Sequence, residues 1–126
     1  MKSIHTDRAP GAIGPYSQAI VSGGFVYTSG QIPLCPETGK IEAQGIEAQT
    51  EQACRNLKEV LLAAGSAPEK VVKTTCFLAD MADFPTFNSV YEKYCVSAPA
   101  RSCVAVKTLP KGVLCEVEAI AFVKEG

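Results

Sequence analysis

The most informative segment of the chain is PARSCVAV at residues 99–106, LPKG at 109–112 and CEVEAIAF at 115–122. The two outer stretches are rich in residues that favour β-structure, and the Pro-Lys-Gly sequence between them is typical of a turn. The sequence therefore predicts two β-strands joined by this turn.

Side chains alternate between the two faces of a strand, which divides each predicted strand into two sets. One set is small and mostly apolar and is predicted to lie under helices: Ser102, Val104, Val106, Cys115, Val117, Ala119 and Ala121. The other set mixes charged with apolar side chains: Arg101, Cys103, Ala105, Glu116, Glu118, Ile120 and Phe122. A mixed face is typical neither of a core nor of a solvent surface, so we expect another subunit to cover it.

Length and charge limit the classes of protein to consider. The 126 residues fit one domain, with 47% hydrophobic and 20% charged residues. The net charge of −1 and the pI of about 5.8 argue against a general nucleic-acid-binding surface. No apolar run approaches the roughly 20 residues of a membrane span, and the first residues lack the apolar segment of a signal peptide. We therefore expect a soluble, cytoplasmic protein.

The cysteines do not form a metal-binding or disulfide pattern. There are six of them: Cys35, Cys54, Cys76, Cys95, Cys103 and Cys115. No C-x-x-C pair occurs and His5 is the only histidine, so no metal site is predicted. Several thiols fall within apolar patterns, where cysteine behaves as a small hydrophobic residue. A disulfide framework is therefore the less favoured interpretation.

The remaining chain predicts the element order β-β-α-β-α-β-β, preceded by a loop over residues 1–13. Strands are expected at 16–21, 25–32 and 71–78, and helical periodicity spans 46–64. Asp83 is a candidate cap for a second helix, whose apolar stripe is Phe84, Phe87, Tyr91 and Tyr94. This order favours an α+β fold with one sheet and two helices on one face.

Two charged residues stand out as candidates for chemistry, although each has an ordinary alternative. Arg101 is either a surface or ion-paired arginine, or a planar fork that binds a carboxylate through two hydrogen bonds. Glu116 is either an exposed strand residue or a partly buried carboxylate that exchanges a proton with water. Glu118 lies on the same face as Glu116, so strand alternation does not choose between them.

Other candidates carry weaker signals. Cys103 is a possible nucleophile, but no base is predicted beside it, so a buried packing role is favoured. Tyr16 and Ser29 are possible ligand contacts, although both are ordinary strand residues in isolation. The aromatic stripe of the second helix is interpreted as core, with Asn88 beside it. Gly30 permits a close approach by another group.

Six strings, taken together, resemble one family. They are AIGPYSQ at 12–18, TSGQIP at 28–33, VKTT at 72–75, NSVY at 88–91, PARSCV at 99–104 and EVEAIA at 116–121. Each is weak alone, but they follow one another in order over nearly the whole chain. The chain thus resembles the reactive intermediate/imine deaminase A (RidA) family, also described as perchloric-acid-soluble translation inhibitors.

The resemblance implies a chorismate-mutase-like α+β domain over residues 1–126, forming a homotrimer with a site in each cleft between subunits. It implies hydrolysis of 2-imino acids or their enamine tautomers, such as 2-iminobutanoate and 2-iminopropanoate, to 2-keto acids and ammonia. The family takes these imines from pyridoxal-phosphate enzymes and itself uses no cofactor.

The motifs also assign roles to individual residues. Arg101 resembles the family's carboxylate-binding arginine, and Glu116 resembles the residue that handles the attacking water. The other matching positions line the site: Tyr16, Ser29, Asn88 and Cys103. The five cysteines other than Cys103 are not part of the family pattern.

Two further hypotheses remain at this point. An endoribonuclease or translation inhibitor has been described in this family, but the acidic pI, the absence of tryptophan and the single histidine give it little support. A redox-controlled, chaperone-like binding module would instead use the many thiols. Release of ammonia from a freshly generated imine would separate the deaminase from both.

Overall fold

A computed structural model of the chain describes residues 1–123, which form six strands and two helices. The elements are β1 (Lys2–Ile4), β2 (Ala19–Ser22), β3 (Phe25–Thr28), α1 (Gly45–Ala63), β4 (Val71–Leu78), α2 (Phe84–Tyr94), β5 (Ala100–Ala105) and β6 (Cys115–Phe122). The predicted helix and the predicted strand at 71–78 agree with α1 and β4. No helix within these residues is long and apolar enough to cross a membrane.

One mixed sheet contains all six strands in the order β1-β2-β3-β6-β4-β5. Neighbouring strands are antiparallel except β4 and β5, which are parallel and are connected through α2. Both helices pack on one face of the sheet and against each other. The predicted α+β fold, with a single sheet and two helices on one face, is therefore confirmed.

The N-terminal part of the sheet differs from the prediction in three ways. The strand predicted at 16–21 runs from Ala19 to Ser22, so Tyr16 lies in the loop before it. Residues 2–4, predicted as loop, form β1 at the edge of the sheet and pair with β2. The predicted strand over 25–32 ends at Thr28, and only Gln31 pairs again, with Val117. Gly23 and Gly24, with φ of 61° and 84°, form the tight turn between β2 and β3.

The two C-terminal strands are not neighbours, because β4 lies between β5 and β6. Their faces also differ from the prediction in one strand. In β6 the small set is buried under the helices, as predicted. In β5 the assignment was wrong: Arg101 and Cys103 are register partners of the buried Thr74 and Cys76, so they lie on the helix face.

The physical reason for this inversion is the edge position of β5. An edge strand lies only partly under the helix layer, so a long polar side chain can lie on that face and still reach solvent. The exposed residues Ser102 and Val104 consequently point to the other face of the sheet. Arg101 and Glu116 therefore lie on opposite faces, because Glu116 pairs with Phe77 on the face without helices.

The start of α2 also departs from the prediction. Asp83 makes no side-chain capping hydrogen bond. Asp80 instead accepts a hydrogen bond from the backbone N–H of Ala82 at 2.9 Å and caps the short turn before the helix.

The sheet face opposite the helices is not covered by any of residues 1–123. It exposes large apolar side chains, each with 38–47% of its surface accessible: Phe25, Tyr27, Phe122 and Val104. The acidic Glu116 and Glu118 lie among them and are only partly exposed. A face of this composition is typical of a surface that contacts another protein.

Candidate functional site

Glu116 lines a cavity of about 410 Å³ at the end of β6. Tyr16, Ser29 and Gly30 also line it, together with the apolar side chains of Ile13 and Ile32. The cavity thus combines the Glu116 carboxylate, the ammonium group of Lys111, two hydroxyl groups and an apolar wall, as small-molecule sites do.

The Glu116 carboxylate lies directly over Gly30. A Cβ atom at position 30 would overlap with Oε2 of Glu116, so any other residue there would displace this carboxylate from its observed position. The sequence predicted a close approach at Gly30, and the structure shows that the approaching group is Glu116. Burial raises the pKa of Glu116, and the negative charge of Glu118 raises it further. The carboxyl group is therefore a better proton acceptor than an exposed glutamate.

Two buried amide side chains hold the walls of this cavity. Gln18 accepts a hydrogen bond from the N–H of Thr6 at 2.7 Å and donates to the carbonyl of Pro10 at 2.8 Å. Asn56 in α1 donates to the carbonyls of Ile32 and Leu34 at 3.0 and 2.9 Å. These bonds fix the two loops that surround Glu116.

The two hydroxyl groups of the cavity, those of Ser29 and Tyr16, differ in whether their proton is already used in a hydrogen bond. Ser29 donates its hydroxyl to the carbonyl of Ser17 at 2.6 Å, and its N–H donates to the carbonyl of Gln18 at 2.9 Å. The oxygen of Ser29 therefore remains available only as an acceptor. Tyr16 is more than half exposed at the mouth of the cavity and retains its donor.

Arg101 lies in a second cluster, against α2. Its Nη1 donates to Oδ1 of Asn88 at 2.7 Å, and its Cζ lies 5.3 Å from the ring centre of Phe84 and 4.9 Å from that of Tyr91. Within residues 1–123 the ion pairs are His5–Asp7 and Arg55–Glu51, so Arg101 pairs with no carboxylate there. The guanidinium is therefore positioned by Asn88 and two aromatic rings, and its remaining N–H donors are available to bind an anion.

Cys103 is partly buried two residues beyond Arg101 on the same face of β5. Burial raises its pKa, and the nearby Arg101 charge opposes this shift to a smaller extent. The thiol is therefore protonated near neutral pH, which favours a packing or hydrogen-bonding role over a nucleophilic one.

The predicted site residues thus separate into two groups within one chain. Tyr16, Ser29 and Glu116 line one cavity, whereas Asn88 and Arg101 line a different depression. From the strand register, the Cα atoms of Arg101 and Glu116 are roughly 14 Å apart, on opposite faces. Within the part of the chain that the structure describes, no cluster of His, Cys, Asp and Glu is arranged to hold a metal ion.

Sequence reasoning missed the supporting residues. The aromatic stripe of α2 was interpreted as core, and Phe87 is fully buried as expected. Phe84 and Tyr91, however, also present their rings to Arg101. Their spacing from Asn88, four residues before and three after, places all three on one helix face and was the available signal. Gln18 and Asn56 carried no signal, because their partners are distant backbone carbonyls.

The chain is similar in sequence and in fold to several known proteins. The model of the family described as endoribonuclease L-PSP matches residues 6–123. A RutC family protein of Synechocystis is 50% identical over 124 residues, covering 96% of this chain and 95% of that protein. Reactive Intermediate Deaminase A, chloroplastic, of Arabidopsis thaliana is 48% identical over 119 residues, covering 94% of this chain and 64% of that protein. The crystal structure of E. coli TdcF with bound serine superposes with a TM-score of 0.92 at 45% identity, covering 98% of this chain and 100% of that one.

Proposed function

This chain belongs to the endoribonuclease L-PSP family, which includes reactive intermediate deaminases, and we propose that it hydrolyses small 2-imino acids to 2-keto acids and ammonia. The expected substrates are 2-iminobutanoate and 2-iminopropanoate or their enamine tautomers. The observation that carries the proposal is a pair of complementary charged groups that form no ion pair within residues 1–123: the Arg101 guanidinium and the partly buried Glu116 carboxylate. The serine bound to TdcF is a small amino acid with a carboxylate, which is consistent with such a ligand.

The proposed mechanism uses Arg101 for binding and Glu116 for proton transfer. The Arg101 fork binds the carboxylate of the substrate and thereby places the adjacent imine carbon. Glu116 takes a proton from water as the water oxygen bonds to that carbon, and the protonated imine nitrogen becomes an amine. The carbinolamine then forms its carbonyl as the C–N bond breaks. Glu116 first returns its proton to the amine nitrogen and then accepts the hydroxyl proton as ammonia leaves. It finally releases that proton to water and is ionised again.

The remaining matched residues line the site in this proposal. Tyr16 offers a hydroxyl donor and Ser29 an acceptor beside Glu116, whereas Asn88 orients Arg101. Cys103 packs beside Arg101 without taking part in a covalent step.

The two groups can act on one substrate only if they come from different chains. Arg101 and Glu116 lie on opposite faces of one sheet, so we infer that Arg101 of one subunit meets Glu116 of a neighbour. The exposed apolar side chains on the uncovered face support an interface there. We propose a homotrimer, as the family resemblance implies, with one site in each cleft between subunits. Light scattering should give three times 13.3 kDa.

Subunit complementation tests both the reaction and the shared site. Arg101→Met and Glu116→Gln variants are purified, mixed, unfolded and refolded together, and assayed with imine freshly generated by a dehydratase. Each variant alone should be inactive. Random mixing leaves an intact Arg101 and an intact Glu116 at roughly a quarter of the interfaces, so the mixture should recover about that share of wild-type ammonia release. No recovery despite mixed oligomers would contradict the shared site, and an inactive wild type would contradict the reaction.

The endoribonuclease and chaperone-like hypotheses predict different activities, which can be measured on the same purified proteins. Neither cluster contains a histidine, and the only one in the sequence, His5, lies beside Asp7 in an exposed pair. RNA cleavage that persists in Arg101→Met would support the endoribonuclease description, and holdase activity after oxidation would support a chaperone-like role. We expect the reaction to take place in the cytoplasm, where cell fractionation would locate the chain.

A further inference from the structure

The guanidinium of Arg101 rests on one face of α2. Phe84, Asn88 and Tyr91 follow one another at helical spacing on this face. The two rings lie 5.3 and 4.9 Å from Cζ, and Oδ1 of Asn88 accepts from Nη1 at 2.7 Å. Aromatic faces attract a cation without using its N–H donors, so four of the five guanidinium donors remain for a ligand.

Tyr91 is itself fixed by contacts with Thr74 and Phe87. Its hydroxyl lies 2.6 Å from Oγ1 of Thr74, and its ring stacks on Phe87 with centres 5.6 Å apart. Thr74 is completely buried and Tyr91 nearly so. Burial strongly raises the pKa of Tyr91, so this hydroxyl stays protonated and acts only as a hydrogen-bonding group.

The pairing of β4 with β5 places Thr74 beside Arg101. Thr74 of β4 is the direct neighbour of Arg101 in β5. The backbone therefore positions Arg101 beside Thr74, and the Thr74 hydroxyl positions the ring on which the Arg101 guanidinium lies. The cation is thus fixed at its Cα and at its head group.

The choice of aromatic rings rather than an acid has a functional consequence. A carboxylate in this place would also orient the guanidinium, but it would neutralise the charge and occupy the donors that a substrate needs. Glu92 lines the same surface depression, yet it forms no ion pair with Arg101. The arrangement holds the cation and leaves its charge available.

We propose that Tyr91, locked by Thr74, is a positioning residue that sets the plane of the Arg101 guanidinium for two-point binding of a carboxylate. This inference rests on the proposed function, because it assigns Tyr91 a part in the same substrate contact. Tyr91 does not touch the reacting atoms.

The test compares a charged with an uncharged ligand of the same shape. Pyruvate, which is a product of the proposed reaction, and pyruvamide, which lacks the carboxylate, are titrated calorimetrically into the intact oligomer. Tyr91→Leu removes the ring face and should weaken pyruvate binding by about tenfold while pyruvamide binding stays unchanged. Tyr91→Phe and Thr74→Val remove the two ends of one hydrogen bond. Each should weaken pyruvate binding about threefold, and the double variant should be no weaker than either.

Tyr94→Leu is the matched control. Tyr94 lies one turn further along α2, and its hydroxyl donates to Glu51 rather than contacting Arg101. This variant should keep the wild-type preference for pyruvate. A purely structural role for Tyr91 would weaken both ligands equally in Tyr91→Leu and in the milder Tyr91→Phe, and that result would overturn the inference.

The same titrations separate this inference from the proposed function. If the wild type does not prefer pyruvate to pyruvamide, the carboxylate clamp is absent and both proposals fail. If the wild type shows the preference and Tyr91→Leu retains it in full, only the positioning role fails.

Discussion

The carboxylate of Glu116 occupies the space that a side chain at Gly30 would need. A Cβ built on Gly30 would lie 2.8 Å from Cδ of Glu116, with the carboxylate oxygen closer still. Gly30 has an ordinary φ, so the demand for glycine here is one of space rather than of backbone conformation. The loop after β3 and the strand β6 are thereby fitted to each other at the proposed proton acceptor.

Gly30→Ala should displace the Glu116 carboxylate and lower kcat by at least about tenfold, because small misplacements of a catalytic group are costly. Gly11→Ala is the matched control, since Gly11 lines the same cavity with no atom within 4 Å of the added methyl group. Steady-state kinetics with enzymatically generated imine, together with circular dichroism, would check this. Full activity in Gly30→Ala would show that the position of Glu116 is unimportant.

Arg101→Lys should not be a conservative change. Lysine keeps the charge but replaces a planar fork with a compact ammonium group, which cannot form two parallel hydrogen bonds with a carboxylate. A hydrogen bond to a charged group contributes about 1.5–3 kcal/mol, so kcat/KM should fall at least about tenfold. Glu116→Gln should differ, because it should still bind a 2-keto acid while losing turnover. Wild-type binding and turnover in Arg101→Lys would exclude the carboxylate clamp.

The pH dependence should depend on Glu118. Glu116 must be ionised to accept a proton, so activity should fall as the pH drops through its pKa. Burial and the Glu118 charge both raise that pKa above the usual value of 4.5. Glu118→Gln removes the like charge, so the acid limb of the kcat/KM profile should move to lower pH. Exposed Glu69 offers the control variant Glu69→Gln, for which the limb should stay in place. If the acid limb does not move in Glu118→Gln, a group other than Glu116 controls the loss of activity at low pH.

Glu116→Gln should also make the folded protein more stable at neutral pH. A carboxyl group whose pKa is raised in the folded state binds its proton more tightly there than in the unfolded chain. Its contribution to stability therefore declines as the pH rises from the pKa of this group in the unfolded chain to its higher pKa in the folded protein. The glutamine variant lacks this decline, so its Tm should exceed that of the wild type at pH 7 and match it in acid. Calorimetry at equal protein concentration would decide. An equal Tm at pH 7 would mean that the pKa of Glu116 is not raised in the assembled oligomer, where Arg101 of a neighbouring subunit would lower it.

Cys103→Ser should retain most of the deaminase activity. Burial raises the pKa of this thiol, so little thiolate is present, and water is the proposed nucleophile. The variant is assayed as an intact oligomer beside Cys35→Ser, whose thiol lies in the loop before α1 and donates to Glu37. Loss of turnover in Cys103→Ser alone would assign the thiol a direct role.

Both helices, five of the six strands and one face of the sheet can be predicted from the sequence. Alternating small and large residues in β6 predicted which side chains lie under the helices, because a central strand must bury one complete face. Helical periodicity over 46–64 predicts α1, and the strand pattern over 71–78 predicts β4. The family motifs selected Glu116 over Glu118, which strand alternation alone could not do.

The position of Arg101 and its surroundings depend on how distant segments of the chain pack together. Alternation states that Arg101 and Ser102 point in opposite directions, but it does not say which direction faces the helices. That depends on β5 being an edge strand beside β4, a pairing between segments distant in sequence. The contact of Gly30 with Glu116 and the stacking of Arg101 on Tyr91 arise in the same way. Each joins residues that local propensity treats independently, so packing in three dimensions had to bring them together.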